Sequence, residues 1–140
     1  MTTLTSPLPR GMLRVGCDIV DIDDIRASMA RFGDRYTKHV FTDRELERSR
    51  IDTERAPVAL ARVFAAKLAA IKSLRARERP PWRDIEITDA PDGARLQIHR
   101  EAADLAEADE IVQWWVTVGD DGKQATAVVV ARRGHEEHTT

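Results

Sequence analysis

The sequence predicts an α+β domain in which an antiparallel sheet packs on one long helix. Three observations carry this. An alternating apolar run lies near the N-terminus, a long helical stretch of small and apolar residues lies mid-chain, and two hairpin patterns flank a short helix after it.

In chain order, "LRVGCDIVDI" (13–22) reads as a buried strand, with Leu13, Val15, Cys17 and Ile19 on one face. Arg14, Gly16, Asp18 and Val20 take the other face. Ile22, Ile25, Met29 and Phe32 then repeat at helical spacing, and Gly33 is a natural stop. Thr42 with Glu45 three residues later forms a capping box, so a short helix starts near Asp43. Pro57 suits the first turn of the longest helix, expected to run to about Arg77 before Pro80 and Pro81 stop it. On that helix Leu60, Phe64, Leu68 and Ile71 fall on one stripe, which marks Leu68 as core. "WRDIEIT" and "ARLQIHR" joined by "DAPDG" read as a hairpin, and "EAADLAEADE" as a short helix. "EIVQWWVTV", the turn "GDDG" and "KQATAVVVA" form a second hairpin whose last strand looks buried.

At 140 residues the chain suits one domain, here 13–133, with a flexible leader at 1–12 and a flexible tail at 134–140. A formal net charge of −2 argues against a nucleic-acid partner or an anionic membrane, so any anion site must be local. The single cysteine, Cys17, rules out an internal disulfide and fits a reducing cytoplasm, the expected location. No stretch approaches a membrane span, and "MTTLTSPLPRGM" lacks the apolar core of a signal peptide.

Several side chains have chemistry to offer. Asp18, a carboxylate in an apolar strand, must be paired, hydrogen-bonded or metal-bound, or else cap a neighbouring backbone group. Asp21, Asp23 and Asp24 surround a helix start, where acids complement the macrodipole. Lys72, at the edge of the long helix's apolar stripe, either snorkels to solvent or meets a buried anion. Trp114 and Trp115 point to opposite faces of a strand, so one is core and the other needs a subunit interface or a ligand pocket. Asp120 and Asp121 sit where turn residues are expected, with a carboxylate site shared by Asp120 and Asp18 left open. Walker loops, dinucleotide fingerprints, zinc spacings and nucleophile elbows are absent.

The segments "VGCDIVDI", "VFTDRELE", "FAAKLAAIK", "WRDIEI" and the "TAVVVA" hairpin, in this order from Val15 to Ala131, resemble the holo-acyl-carrier-protein synthases. The resemblance implies the fold of these small 4′-phosphopantetheinyl transferases and a homotrimer with sites between subunits. It also implies magnesium-dependent transfer of phosphopantetheine from coenzyme A to a carrier-protein serine. Asp18 matches the family's first metal-binding aspartate, and Lys67 and Lys72 match the lysines of its signature helix. The second of these lysines approaches the phosphate and the reacting hydroxyl.

Other positions depart from the family pattern. Leu68 stands where the family's second magnesium ligand, a glutamate, is expected, and an aliphatic side chain supplies no oxygen. Val63 replaces an arginine, although Arg62 is adjacent, and "RARER" replaces a glycine-rich segment. Asp120 stands in place of a histidine near coenzyme A. The basic residue that docks the acidic carrier protein aligns with Asp24, with Arg26 as a nearby substitute.

Three functions are therefore expected to compete. The leading one is a diverged enzyme that works on a carrier-protein-tethered acyl or polyketide chain by cyclisation, dehydration or hydrolysis. It needs no cofactor: Asp18, Asp120, Lys67 and Lys72 supply acid–base chemistry, and Arg62, Leu68, Arg75, Trp114 and Trp115 contact substrate. The alternative is the inherited transfer with magnesium and coenzyme A, the metal resting on Asp18 and a replacement acid such as Asp21 or Asp120. Lys72 would assist it, with Arg62, Arg75 or Arg77 on the phosphates. The third is a non-catalytic carrier-protein-binding or regulatory homologue.

Overall fold

A computed structural model of the chain describes residues 12–134. Strand β1 (Leu13–Asp21) leads directly into α1 (Ile22–Phe32), and α2 (Asp34–Val40) and α3 (Asp43–Ser49) follow. The long helix α4 (Ala56–Leu74) comes next, then a 3₁₀ turn (Trp82–Asp84) and the hairpin β2 (Ile85–Ala90) and β3 (Gly93–Ile98). Helix α5 (Arg100–Ala108) and the hairpin β4 (Ile111–Asp120) and β5 (Gln124–Arg133) complete the order. The strands form one antiparallel sheet, β1-β5-β4-β3-β2, with α4 across it. This is the expected α+β architecture. The leader up to residue 11 and the tail from residue 135 lie outside the described residues.

Small residues set the distance between helix and sheet. Ala65, Ala66, Ala69 and Ala70 of α4 are buried against a sheet face built from Gly16, Val20, Ala125, Ala127 and Val129. A β-carbon on Gly16 would lie 2.0 Å from the Ala69 carbonyl oxygen, so only glycine permits this approach. This packing decides which of the two faces of β1 meets α4. Its face with Gly16 and Val20 turns inward, while Val15 and Ile19 point outward, 62% and 60% exposed. Leu13, Cys17, Val128 and Trp115 share that outer face, so the sheet carries an uncovered apolar surface.

The same geometry corrects the reading of Leu68. The alanine face fills the core, and Phe64, Leu68 and Ile71 form a half-buried rim. Helix α4 also ends earlier than expected, at Leu74, because Arg75 takes a left-handed cap conformation (φ 55°). Helix α2 was not expected at all. Gly33 closes α1 through its N–H to the Met29 carbonyl, and its positive φ turns the chain straight into α2. Phe41 then drops into the core, fully buried, edge-on to Tyr36 and Phe64. Among the described residues no helix is long and apolar enough to cross a membrane.

Candidate functional site

Asp18 sits on the inner face of β1, half-buried at the C-terminal end of α4. Its Oδ2 meets the Lys72 ammonium at 2.9 Å, and its Oδ1 accepts the Ile19 N–H at 2.9 Å. Lys72 also reaches the Cys17 carbonyl at 3.4 Å, and its side chain stays more than half exposed. The strand carboxylate is thus satisfied by pairing, and the cation it holds faces solvent. Leu68 lies one turn before Lys72 on the same side of the helix.

Lys67 is placed very differently. Its ammonium lies within 2.9 Å of Glu45, 2.9 Å of the Trp82 carbonyl and 2.5 Å of the Ile85 carbonyl, with both charged side chains fully buried. All three N–H donors are used. Burial lowers the proton affinity of Lys67 against the pull of Glu45, and burial raises that of Glu45 against the pull of Lys67. Glu45 also accepts the backbone N–H groups of Ile87 (2.7 Å) and Thr42 (2.8 Å), so the expected capping box doubles as an anchor between α3 and β2. A lysine enclosed in this way reaches no substrate. The expectation of a catalytic Lys67 is therefore corrected: it ties α4 to α3 and the sheet.

Beside this pair lies a cluster that the sequence did not reveal. Glu86 accepts the Thr42 hydroxyl at 2.8 Å and contacts His99 Nε2 at 3.1 Å. Burial alone would raise Glu86, but Thr42 and His99 outweigh it and hold the carboxylate below its usual range. Alternation had marked Glu86 and His99 only as parts of strand patterns, and Thr42 was expected only to cap α3.

Nearer the start of α4, Arg62 grips Asp89 with two nitrogens, at 2.7 and 3.2 Å, and Asp120 at 2.9 Å. The hydrogen bond to Asp89, with a smaller one to Asp120, raises Arg62 further above its already high value. Asp89 went unnoticed in the sequence because nothing local links it to Arg62, 27 residues away. The three line an open groove of about 940 Å³ with Arg50, Arg55 and Val58.

Asp18 and Asp120 are not brought together. Both face α4, but Lys72 holds one and Arg62 the other, ten residues apart on the helix, about 15 Å along its axis. Trp114 packs on the core, leaving Trp115 on the outer face. Arg75 is exposed at the α4 cap, and Arg26 is paired with Asp23 at 2.7 Å. Among the described residues no group of three or more His, Cys, Asp or Glu side chains gathers as a metal cage. Asp18 is thus one carboxylate that would need ligand and water oxygens to hold a divalent ion.

Comparison with known proteins now bears on this geometry. Residues 14–129 match the 4′-phosphopantetheinyl transferase superfamily. A holo-[acyl-carrier-protein] synthase from Methylobacterium nodulans is 38% identical over 126 residues, covering 85% of this chain and 95% of the relative. One from Methylorubrum extorquens is 42% identical over 130 residues, covering 85% and 92%. Among solved structures, the holo-ACP-synthase of Plasmodium yoelii superposes with a TM-score of 0.76 at 22% identity, over 87% of this chain and 95% of that one. An ACPS–CoA complex from Chronobacterium ammoniagenes superposes at 0.74 with 26% identity, over 88% and 98%. With the match over residues 14–129 and 38% identity to a relative of which the chain covers 95%, this chain belongs to the 4′-phosphopantetheinyl transferase superfamily.

Proposed function

We propose that this protein transfers 4′-phosphopantetheine from coenzyme A to a serine of an acyl carrier protein. The observation that carries the reading is the Asp18–Lys72 pair at 2.9 Å, joining β1 to α4 in a chain 38% identical to a holo-[acyl-carrier-protein] synthase. In this reaction the serine hydroxyl gives up its proton to water and its oxygen bonds to the phosphorus that bears pantetheine. The bond from that phosphorus to the bridging oxygen breaks, and 3′,5′-ADP leaves with the electron pair. Lys72, half exposed and held in place by Asp18, presents its ammonium to the phosphate oxygens as charge builds on them. Asp18 is the acid that would hold magnesium, with oxygens of the diphosphate and water completing its shell, a minimal donor set for this ion. Bound there, magnesium supplies positive charge to the diphosphate. Leu68 adds no ligand, so the protein's share of the clamp rests on Asp18 and Lys72.

The reading of repurposed acid–base chemistry has less support. It drew on Asp18, Asp120, Lys67 and Lys72 acting together; Asp18 and Lys72 do pair, whereas Asp120 serves Arg62 and Lys67 is enclosed. The uncovered outer face of the sheet, with Val15, Ile19, Val128 and Trp115, supports assembly into a homotrimer through that surface. Intact-mass analysis of an apo carrier protein incubated with this protein, coenzyme A and magnesium tests the transfer. A gain of one phosphopantetheine arm supports it. No gain, on a carrier protein that a relative modifies, contradicts it.

A further inference from the structure

Both oxygens of Asp18 are occupied before any ligand arrives. Oδ2 holds the Lys72 ammonium at 2.9 Å and Oδ1 accepts the Ile19 N–H at 2.9 Å, with the carboxylate side chain only 18% exposed. The acids that could join it are committed elsewhere. Asp21 lies on the opposite face of β1 and accepts a side-chain N–H of Gln124 at 2.9 Å, and Asp120 holds Arg62. Leu68 offers no oxygen. A divalent ion approaching the free protein therefore meets one carboxylate already neutralised by a cation, and magnesium sheds its water reluctantly even for a full set of oxygens. It also meets the repulsion of the ammonium itself.

Lys72 is the movable half of the pair. Its side chain is 57% exposed, and its second contact, with the Cys17 carbonyl, is a long 3.4 Å. A flexible four-carbon stem carries the charge. Asp18 is fixed by β1, which pairs with β5 from Leu13 to Asp21. A diphosphate brings two things to this pair at once. Its negative charge draws the ammonium off Oδ2, and its oxygens are the donors that a divalent ion lacks at Asp18 alone.

We infer that Lys72 occupies the metal's place on Asp18 in the free protein, so that the substrate is the magnesium–coenzyme A complex and not the free ion followed by the coenzyme. The inference rests on coenzyme A being the donor, as proposed above. Lys72 turns its ammonium toward the phosphate oxygens as the complex enters and stays beside Asp18, whose Oδ2 becomes available to the ion. The pair thus keeps the site charge-balanced while empty and opens it only to a ligand that carries both the anion and the cation.

The test uses manganese as the probe ion and follows the free ion by electron paramagnetic resonance with no coenzyme present. It compares the wild type with Lys72→Met, Lys72→Met/Asp18→Asn and Arg75→Met. The expected result is a manganese Kd at least about tenfold lower in Lys72→Met than in the wild type, a gain that Asp18→Asn removes. Arg75→Met, which takes another exposed cation from the end of the same helix, should shift Kd by less than about twofold. In a second arm coenzyme A is titrated calorimetrically into the wild type, where magnesium should lower its Kd at least about tenfold. Lys72 is exposed, so the fold should survive its loss, and a melting curve checks this; if cooperativity is lost, Lys72→Gln repeats the measurement. Equal manganese binding by the wild type and Lys72→Met, no measurable binding by either, or an equal gain in Arg75→Met overturns the inference. So does coenzyme A binding that ignores magnesium. No binding of coenzyme A under any condition instead defeats the transfer reading, and the ion titrations, which contain no coenzyme, keep the two failures apart.

Discussion

Lys67 and Glu45 pair at 2.9 Å with both side chains fully buried, and two carbonyl oxygens take the remaining ammonium hydrogens. Removing the cation leaves a carboxylate and two carbonyls without it in a low-dielectric interior. Lys67→Met is expected to cost about 3–5 kcal/mol of stability, the scale for breaking one half of a buried pair. Chemical denaturation followed by circular dichroism measures it. A loss of activity with unchanged stability would instead return Lys67 to the chemistry.

Glu86 gives the fold an acid-sensitive contact. Its folded proton affinity is depressed, so the ionised form stabilises the protein above the unfolded value of about 4.3. That contribution disappears as pH falls through the lower, folded value. Glu86→Gln should therefore flatten the acid side of a plot of melting temperature against pH below about 5. Parallel curves for the two proteins would show that the contact carries no such linkage.

The outer face of the sheet makes a prediction about assembly. Val15 and Ile19 point away from α4, so aspartates there disturb nothing in the core. Val15→Asp with Ile19→Asp should lower the mass seen by light scattering about threefold, from trimer to monomer, with the melting transition of the monomer still cooperative. A wild type that is already monomeric would remove the trimer from the account.

Leu68 invites a gain rather than a loss. The resemblance puts a magnesium-binding glutamate at this position, one turn before Lys72 and on the half-buried rim of α4. Leu68→Glu should lower the magnesium concentration needed for half-maximal transfer by roughly tenfold or more, as a lost ligand restored. An unchanged magnesium dependence would mean that position 68 does not face the ion.

Much of this was legible in the sequence, for local reasons. The Thr42–Glu45 capping box and the Pro91–Asp92 turn between β2 and β3 depend on residues a few positions apart, and both are present. Asp18 announced its need for a partner by being a carboxylate in an apolar strand, and Lys72 meets that need. What failed was long-range. Alternation in β1 identified two faces but not which one meets α4, because Gly16 earns its inward place through a carbonyl on another element. A leucine stripe outranked alanines as a core signal, yet the alanines let the helix approach, and Leu68 was left on the rim. Asp89 and Glu86 acquire their roles only when β2 is laid beside α3 and α4.

The central claim is that Asp18 and Lys72 act as one unit in phosphopantetheinyl transfer. A double-mutant cycle on the transfer rate, with Asp18→Asn, Lys72→Ala and both together, tests it most directly. The account predicts that each single change slows transfer at least about a hundredfold, and that the double change costs little more than either alone. Melting temperatures should move little, since Lys72 is exposed. Transfer that proceeds at the wild-type rate in both single variants, or losses that simply multiply, would contradict it.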